Sequence, residues 1–174
     1  MTLTTHIAIA TAVTKPIMRA HPFFIFLFAF LSHYAADAIP HWDYHLCSVN
    51  EDTSEKRDHT LKNDPKLIGY DLLKVAFDIT IGSTLSFILL RPELTFAGLL
   101  PVALTILGGI LPDMLQPIFW LWKKNNPFTL LKKFHNFMHS NLILRKEYVG
   151  PKLVLAGKIF QVFILGCALF FASL

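Results

Sequence analysis

Histidine and aspartate residues recur inside the apolar segments of this 174-residue chain, where ionisable groups are costly and usually functional. His33 and Asp37 are four residues apart, so a helix places them on one face. His135 and His139 have the same spacing, and Asp113 lies in a third apolar run. Neutral imidazoles and carboxylates are the usual ligands of first-row metal ions, and one helix cannot supply a full set. The pattern therefore predicts a divalent-metal site, with zinc as the first choice and one or two ions, built from several helices.

Three further residues are candidates for the same chemistry. His6 joins the site if the segment Leu3–Met18 is a helix whose N-terminus lies on the cytoplasmic side. Asp78 and Asp43 are the predicted catalytic carboxylates, either of which would act as a general base or orient a metal ligand. The complete predicted metal set is His6, His33, Asp37, Asp113, His135 and His139.

Ordinary structural roles are open for several of these residues. A single histidine near an N-terminus usually has no function, and a His-x-x-x-His pair is common on the face of an interfacial helix. Asp37 could cap a helix end or pair with a nearby base, and Asp71 is expected to pair with Lys74 on the same helix face. Only the combination of these spacings, each beside apolar residues, favours a metal site.

The elements that must position these residues are membrane helices. Hydrophobic residues make up 53% of the chain and charged residues only 16%, against roughly 25% in soluble domains. A bilayer crossing takes about 20 apolar residues. Four segments are long enough, and Leu3–Met18 is a shorter fifth that crosses or dips in part way; the four are Pro22–Ile39, Leu67–Leu90, Leu94–Trp122 and Leu153–Leu174. We therefore expect one all-α domain over residues 1–174, an integral membrane bundle of four or five transmembrane helices with one interfacial amphipathic helix.

Basic residues are distributed unevenly between the two sides of this bundle. The polar stretches His41–Lys66 and Lys123–Pro151 fall on one side, which carries 11 of the 16 basic residues, against three opposite. The positive-inside rule makes the richer side cytoplasmic. The 11 are Lys56, Arg57, Lys62, Lys66, Lys123, Lys124, Lys132, Lys133, Arg145, Lys146 and Lys152, and the three are Lys15, Arg19 and Arg91.

The interfacial helix is predicted over Phe128–Lys146. Its apolar residues recur at helical spacing and its basic residues can reach lipid headgroups. They are Leu131, Phe134, Met138 and Leu142, and Lys132, Lys133, Arg145 and Lys146, respectively. Because basic residues flank apolar segments, the net charge of +4 indicates membrane lipids as partners and no nucleic acid. The same basic residues could steer an anionic substrate towards the histidine pair.

At the histidines and aspartates the chain resembles the membrane-bound metal-dependent hydrolase family, inner-membrane enzymes of bacteria and archaea. The matching elements are Thr5-His6, Leu31-Ser32-His33-Tyr-Ala-Ala-Asp37, Leu111-Pro112-Asp113 and His135-Asn-Phe-Met-His139-Ser140. Asp113 lacks the second ligand-type residue that follows it in the family pattern. Asp43, His41 or Asp78 could supply that ligand.

The resemblance and the residues together predict an integral protein of the bacterial or archaeal inner membrane, with its site towards the cytoplasmic face. It would hydrolyse an ester or phosphoester, with a lipid-linked substrate as one option, through metal-activated water. A metal-ion or proton transporter is the first alternative, and it predicts ligands spread through the membrane depth. A non-catalytic lipid-binding scaffold is the second, and it predicts that no single histidine matters for metal content or stability.

Overall fold

The computed structural model describes residues 1–39, 41–43, 45–50, 59–121, 128–141 and 151–174, with side chains except at 121, 139–141 and 151–154. Within these ranges the chain is mostly helical, and a short antiparallel pair of strands precedes the third helix. The helices are α1 (Leu3–Thr14), α2 (Pro22–Asp37), α3 (Pro65–Leu90), α4 (Phe96–Leu121), α5 (Phe128–Asn141) and α6 (Pro151–Ser173). The strands are β1 (Val49–Asn50) and β2 (Thr60–Leu61), and a 3₁₀ turn at Lys15–Ile17 follows α1.

Local sequence signals set the ends of the long helices. Asp64 caps α3 through its side chain, and Pro65 occupies the first helical position, where its missing N–H costs nothing. Arg91 ends the same helix in the left-handed conformation, with φ of 46°. The helix α4 continues through three prolines, as a helix surrounded by other helices or lipid can. They are Pro101, Pro112 and Pro117.

Three helices in the described part of the chain, α3, α4 and α6, are long and apolar enough to cross a membrane, which is consistent with an integral membrane protein. Many of their apolar side chains are exposed, among them Leu73, Phe77 and Phe163, as contact with lipid requires. The expected span Pro22–Ile39 forms a shorter helix, because α2 ends at Asp37 after 16 residues, or about 24 Å. It therefore falls below the usual length of a membrane crossing.

The fifth apolar segment forms a short helix at the centre of the bundle. α1 contacts α2, α3, α4 and α6, and most of its side chains are buried. With 12 residues, about 18 Å, it extends along only part of its 26-residue neighbour α3. Its hydroxyl groups pair with those of other helices, Thr11 with Ser86 and Thr14 with Thr105. These bonds satisfy polar groups that would be costly to bury alone.

Two glycines allow the short helices to approach the long ones closely. A Cβ atom at Gly82 would lie 2.7 Å from Cδ1 of Ile7, and one at Gly108 would lie 2.7 Å from Cβ of Ala29. The first position is the contact of α3 with α1, and the second is the contact of α4 with α2. Small residues at such contacts are typical of helices packed within a membrane.

The polar stretch before α3 is held by Asp71. Its carboxylate accepts hydrogen bonds from the backbone N–H groups of Cys47 and Ser48, at 3.1 and 2.6 Å. The ammonium of Lys74, one turn further along α3, donates to the carbonyl of His45. Asp71 therefore anchors the start of β1, a role beyond the expected pairing with Lys74.

The structure describes α5 over Phe128–Asn141, which lies within the predicted interfacial helix Phe128–Lys146. The remainder of that segment, with Leu142, Arg145 and Lys146, lies outside the described residues. The protein-facing side of α5 carries Lys132 and His135, which are both buried. The Nζ atom of Lys132 lies 4.2 Å from the centroid of the Phe119 ring, a cation–π contact.

The opposite side of α5 is exposed and mainly apolar, with Lys133 beside its apolar residues. Leu130, Phe134 and Phe137 share this side at helical spacing, and all three are exposed. The half-buried residues Leu131 and Met138 lie between the two sides. A helix that turns polar residues to the protein and apolar residues outward suits the membrane interface.

Asp78, predicted as a catalytic carboxylate, caps α1 from the middle of α3. Its oxygens accept hydrogen bonds from the backbone N–H groups of Leu3, at 2.7 Å, and Thr4, at 3.1 Å, and from the Thr4 hydroxyl. A carboxylate at a helix N-terminus satisfies unpaired N–H groups and interacts favourably with the helix dipole. The structure thus places Asp78 at the start of α1 and outside the cluster of metal-ligand residues described below.

Replacing Asp78 with alanine should lower the free energy of unfolding by about 2 kcal/mol, because three donors at the buried start of α1 lose a charged acceptor. Thermal unfolding in detergent measures the effect. The control is Thr80→Ala on the same helix, which removes an exposed hydroxyl bonded to the Ala76 carbonyl and should change Tm little. Equal Tm values for the two variants would contradict the capping role.

Candidate metal centre

Four helices bring imidazole and carboxylate groups together at one buried point. α1 contributes His6, α2 contributes His33 and Asp37, α4 contributes Asp113, and α5 contributes His135. Single ligand atoms of the last four lie within 4.8 Å of one another, and His6 contacts both carboxylates. These five residues are called the His/Asp cluster below. The sixth predicted ligand, the side chain of His139, lies outside the described residues.

Asp37 lies at the centre of the cluster, at the last residue of α2. Its oxygens are 3.2 Å from Nε2 of His6 and 3.0 Å from Nε2 of His33. The His33 contact follows from the i,i+4 spacing within α2, whereas the His6 contact comes from packing of α1 against α2. The carboxylate has no solvent exposure and contacts two imidazoles, so its place at the end of α2 serves the cluster.

Asp113 approaches the same imidazoles from the opposite helix. One of its oxygens lies 3.6 Å from Nε2 of His33 and 3.6 Å from Nε2 of His135. Its side chain is 24% exposed, while the imidazoles of His6 and His33 are fully buried. Asp113 therefore marks the side from which water or a ligand can reach the cluster.

The orientation of His33 is set by the backbone of α4. Its Nδ1 atom lies 2.8 Å from the carbonyl oxygen of Gly109. A carbonyl can only accept, so Nδ1 carries the proton and donates. In the neutral ring the lone pair is then on Nε2, the atom that faces Asp37 and Asp113. Metal-binding histidines are commonly oriented by such a bond from the second ring nitrogen.

Several ring nitrogens of the cluster face carboxylate oxygens without forming a hydrogen bond. Among the described residues, neither ring nitrogen of His6 nor Nε2 of His33 has a hydrogen-bond partner, although both side chains are fully buried. Buried polar atoms of this kind normally have a partner, so each unsatisfied one needs an explanation. Buried ring nitrogens that lie beside carboxylate oxygens without a hydrogen bond fit a bound cation.

His135 is also suited to act as a neutral ligand. Burial lowers the pKa of its imidazole, and the carboxylates of Asp113 and Asp37 oppose this effect only in part. A metal ion binds the neutral form of histidine. The complete donor set, imidazole nitrogens with carboxylate oxygens, suits zinc and other first-row divalent ions.

The other predicted residues lie apart from the cluster. Asp43 is 56% exposed, and its oxygen lies 3.3 Å from Nε2 of His41 and contacts the amine of Met1. His41 turns its Nδ1 to the carbonyl of Ile39. Neither residue belongs to the group of converging ligand atoms, and the prediction that Asp43 or Asp78 is catalytic has no support in this arrangement.

Two contributors to the cluster are absent from the sequence-based prediction. Gly109 provides the carbonyl that orients His33, and its lack of a side chain admits Ala10 of α1, since a Cβ atom there would lie 3.0 Å from the Ala10 Cβ. Tyr34 packs its ring edge-on against His33 and His135. The Gly108-Gly109 pair within an apolar segment is a sequence signal for close helix packing, whereas nothing in the sequence singles out Tyr34.

Comparison with protein-family models, with curated proteins and with solved structures gives no match to this chain. The geometry of the His/Asp cluster is therefore the basis for any functional conclusion.

Asp113→Ala should remove Zn²⁺ binding and the stability that depends on it. At free Zn²⁺ a thousand times the Kd, binding stabilises the folded protein by about 4 kcal/mol. We expect a strong chelator to lower the Tm of the wild type and to leave that of Asp113→Ala unchanged. Thermal unfolding and elemental analysis of the detergent-purified proteins measure both effects.

The control for this experiment is His21→Asn, at the exposed start of α2. It removes an imidazole but keeps a side chain that can cap the helix. It should retain metal and respond to the chelator like the wild type. If the chelator leaves the wild-type Tm unchanged and the purified protein contains no metal, the metal centre is ruled out.

Proposed function

We propose that this protein is a membrane-embedded, metal-dependent hydrolase of esters or phosphoesters, and that the His/Asp cluster holds its metal. This agrees with the resemblance to the membrane-bound metal-dependent hydrolases at His6, His33, Asp37, Asp113 and His135. The observation that carries the proposal is the convergence of three imidazoles and two carboxylates from four helices at a buried point.

The chemistry of the cluster fits this activity. A bound divalent cation supplies Lewis acidity, which polarises a carbonyl or phosphoryl oxygen and lowers the pKa of water towards neutrality. Asp37 and His33 are fully buried and hold the inner side of the site. Asp113 is partly exposed and lies where a substrate can approach. A catalytic metal site needs this combination of fixed ligands and one accessible side.

The membrane arrangement in this proposal has four spans, α2, α3, α4 and α6, with α1 as a part-depth helix inside the bundle. The 16 residues of α2 cross a locally thinned bilayer or are extended by flanking residues. The excess of basic residues on one side makes the α3 start and the cluster side cytoplasmic. A bacterial or archaeal inner membrane, lipids as partners and a lipid-linked substrate fit this placement.

The transporter alternative is less well supported by the position of the acidic residues. A pathway for ions or protons needs ionisable groups at successive depths. The intramembrane ligand residues are instead gathered within one cluster, and Asp78 is engaged with the start of α1. Uptake of Zn²⁺ into proteoliposomes would revive this alternative.

The activity can be tested on chromogenic carboxylic esters, phosphomonoesters and phosphodiesters, with the purified protein loaded with Zn²⁺ or Mn²⁺. We expect hydrolysis that a chelator abolishes, and Asp113→Asn should lower kcat/KM by at least about 100-fold, because a ligand is lost. The control is Asp64→Asn, which changes the same functional group at the start of α3 but preserves the cap. Hydrolysis that survives both chelation and Asp113→Asn would contradict the proposal.

The topology is testable at the two ends of α3, which are about 39 Å apart. In a background with Cys47 and Cys167 replaced by serine, single cysteines are introduced at the exposed positions Asn63 and Leu94. An impermeant maleimide added to intact cells should label Leu94→Cys and spare Asn63→Cys until the cells are opened. The reverse pattern would show that the start of α3 lies on the outer side of the membrane. Equal labelling of both positions would argue against an α3 that spans the membrane.

A further inference from the structure

The two carboxylates of the His/Asp cluster divide their oxygens between different imidazoles. Oδ1 of Asp37 lies 3.2 Å from Nε2 of His6, and its Oδ2 lies 3.0 Å from Nε2 of His33. Asp113 shows the same division, with Oδ2 4.0 Å from Nε2 of His6 and Oδ1 3.6 Å from Nε2 of His33. Each carboxylate therefore presents one oxygen to His6 and the other to His33.

His135 belongs to the His33 side of this division. Its Nδ1 lies 3.8 Å from Oδ2 of Asp37, and its Nε2 lies 3.6 Å from Oδ1 of Asp113. These are the same two oxygens that face His33. One set of donors thus contains His6 with one oxygen of each carboxylate, and the other contains two imidazoles with the remaining oxygens.

The separations within each set suit donors that share one ion. Donor atoms bound at about 2.1 Å in tetrahedral or octahedral geometry lie roughly 3.0–3.4 Å apart. The contacts of His33 with Asp37 and of His6 with Asp37 fall in this range. The contacts of Asp113 with His33 and His135 are longer, at 3.6 Å, and the longest are His135 with Asp37 at 3.8 Å and His6 with Asp113 at 4.0 Å. Small side-chain adjustments on binding would close this difference.

The separation of the His6 and His33 rings is also similar to the distance between paired metal ions. The rings of His6 and His33 are stacked, with centroids 3.9 Å apart and an angle of 17° between their planes. The two stacked rings face different oxygens of Asp37 with their Nε2 atoms, so the two sets of donors lie side by side. In sites with two metal ions the ions lie about 3.5–4 Å apart, which is close to this ring separation.

We propose that the His/Asp cluster binds two divalent cations side by side, bridged by Asp37 and Asp113, with His6 on one ion and His33 and His135 on the other. The proposal rests on the metal centre of the proposed function and adds the number of ions and the assignment of each ligand. A single ion held by His33, Asp37, Asp113 and His135 would leave His6 unused, although its buried ring nitrogens have no hydrogen-bond partner among the described residues.

The charge of such a centre narrows the substrate class. Two divalent cations exceed the charge of the two bridging carboxylates, so the occupied site is positive and favours an anionic ligand. Pairs of metal ions are suited to phosphoryl transfer, since they stabilise the attacking and the leaving oxygen together. Phosphoesters are therefore preferred over neutral carboxylic esters as substrates.

The number of ions is tested with Mn²⁺ alone, added to the metal-free, detergent-purified protein. Equilibrium dialysis with elemental analysis should give two Mn²⁺ per chain, and the electron paramagnetic resonance spectrum should show spin coupling between them. In His6→Phe, which keeps a ring stacked on His33 but removes both donors, we expect one Mn²⁺ per chain and the spectrum of isolated ions. His45→Phe makes the same change at an exposed histidine and should retain two coupled ions.

The outcomes separate this inference from the proposed function. One Mn²⁺ per wild-type chain, or two without spin coupling, would overturn the paired site while leaving a metal-dependent hydrolase intact. No bound metal would overturn both. Two coupled ions in His6→Phe, or loss of both ions from a variant that unfolds at the wild-type temperature, would overturn the assignment of His6. The wild-type result stands even if His6→Phe does not fold.

Discussion

The packing of the helices around the site is constrained by two carboxylates among apolar helices, Asp37, which is fully buried, and Asp113, which is partly exposed. A buried charge without compensation costs several kcal/mol or more, so such groups are found with partners or with metal ions. Three imidazoles from three helices surround these carboxylates. The helix that bears each histidine must therefore pack so that its ring reaches the carboxylates. His6 requires a helix inside the bundle, and His135 requires a helix that turns its polar side inward. The buried position of α1 and the inward-facing polar side of α5 both meet this requirement.

A helix as short as α1 can remain inside a membrane bundle only if its polar groups have partners. Asp78 supplies acceptors to its N-terminus, and hydroxyls from α3 and α4 pair with those of Thr11 and Thr14. At the start of the helix, the amide of Gln161 on α6 bonds the hydroxyls of Thr2 and Thr5. These bonds come from three different helices. They fix the depth and the rotation of α1, and therefore the position of the His6 ring.

The sequence predicted those parts of the site that depend on short spacings. His33 and Asp37 meet because they are four residues apart on one helix, and the apolar surroundings of Asp113 already suggested a functional carboxylate. The sequence could not predict the contacts that depend on packing, such as the capping of α1 by Asp78 or the carbonyl of Gly109 against His33. Both acids, Asp78 and Asp113, lie within apolar helices. Only their neighbours in space show that Asp78 positions α1 whereas Asp113 is a candidate metal ligand. Local periodicity in the sequence does not reveal such long-range packing.

The position of α5 links the site to the membrane surface. Lys132 and His135 face the bundle, while Leu130, Phe134 and Phe137 face outward. In water this arrangement would be unfavourable, because it exposes apolar surface. At the membrane interface the same surface contributes binding energy in proportion to the area it buries. With α5 at the interface, as proposed, the energy that holds it against the lipid would also hold His135 against Asp113. In the proposed arrangement the bilayer would stabilise a ligand of the cluster, so that metal affinity and membrane attachment of α5 would be coupled.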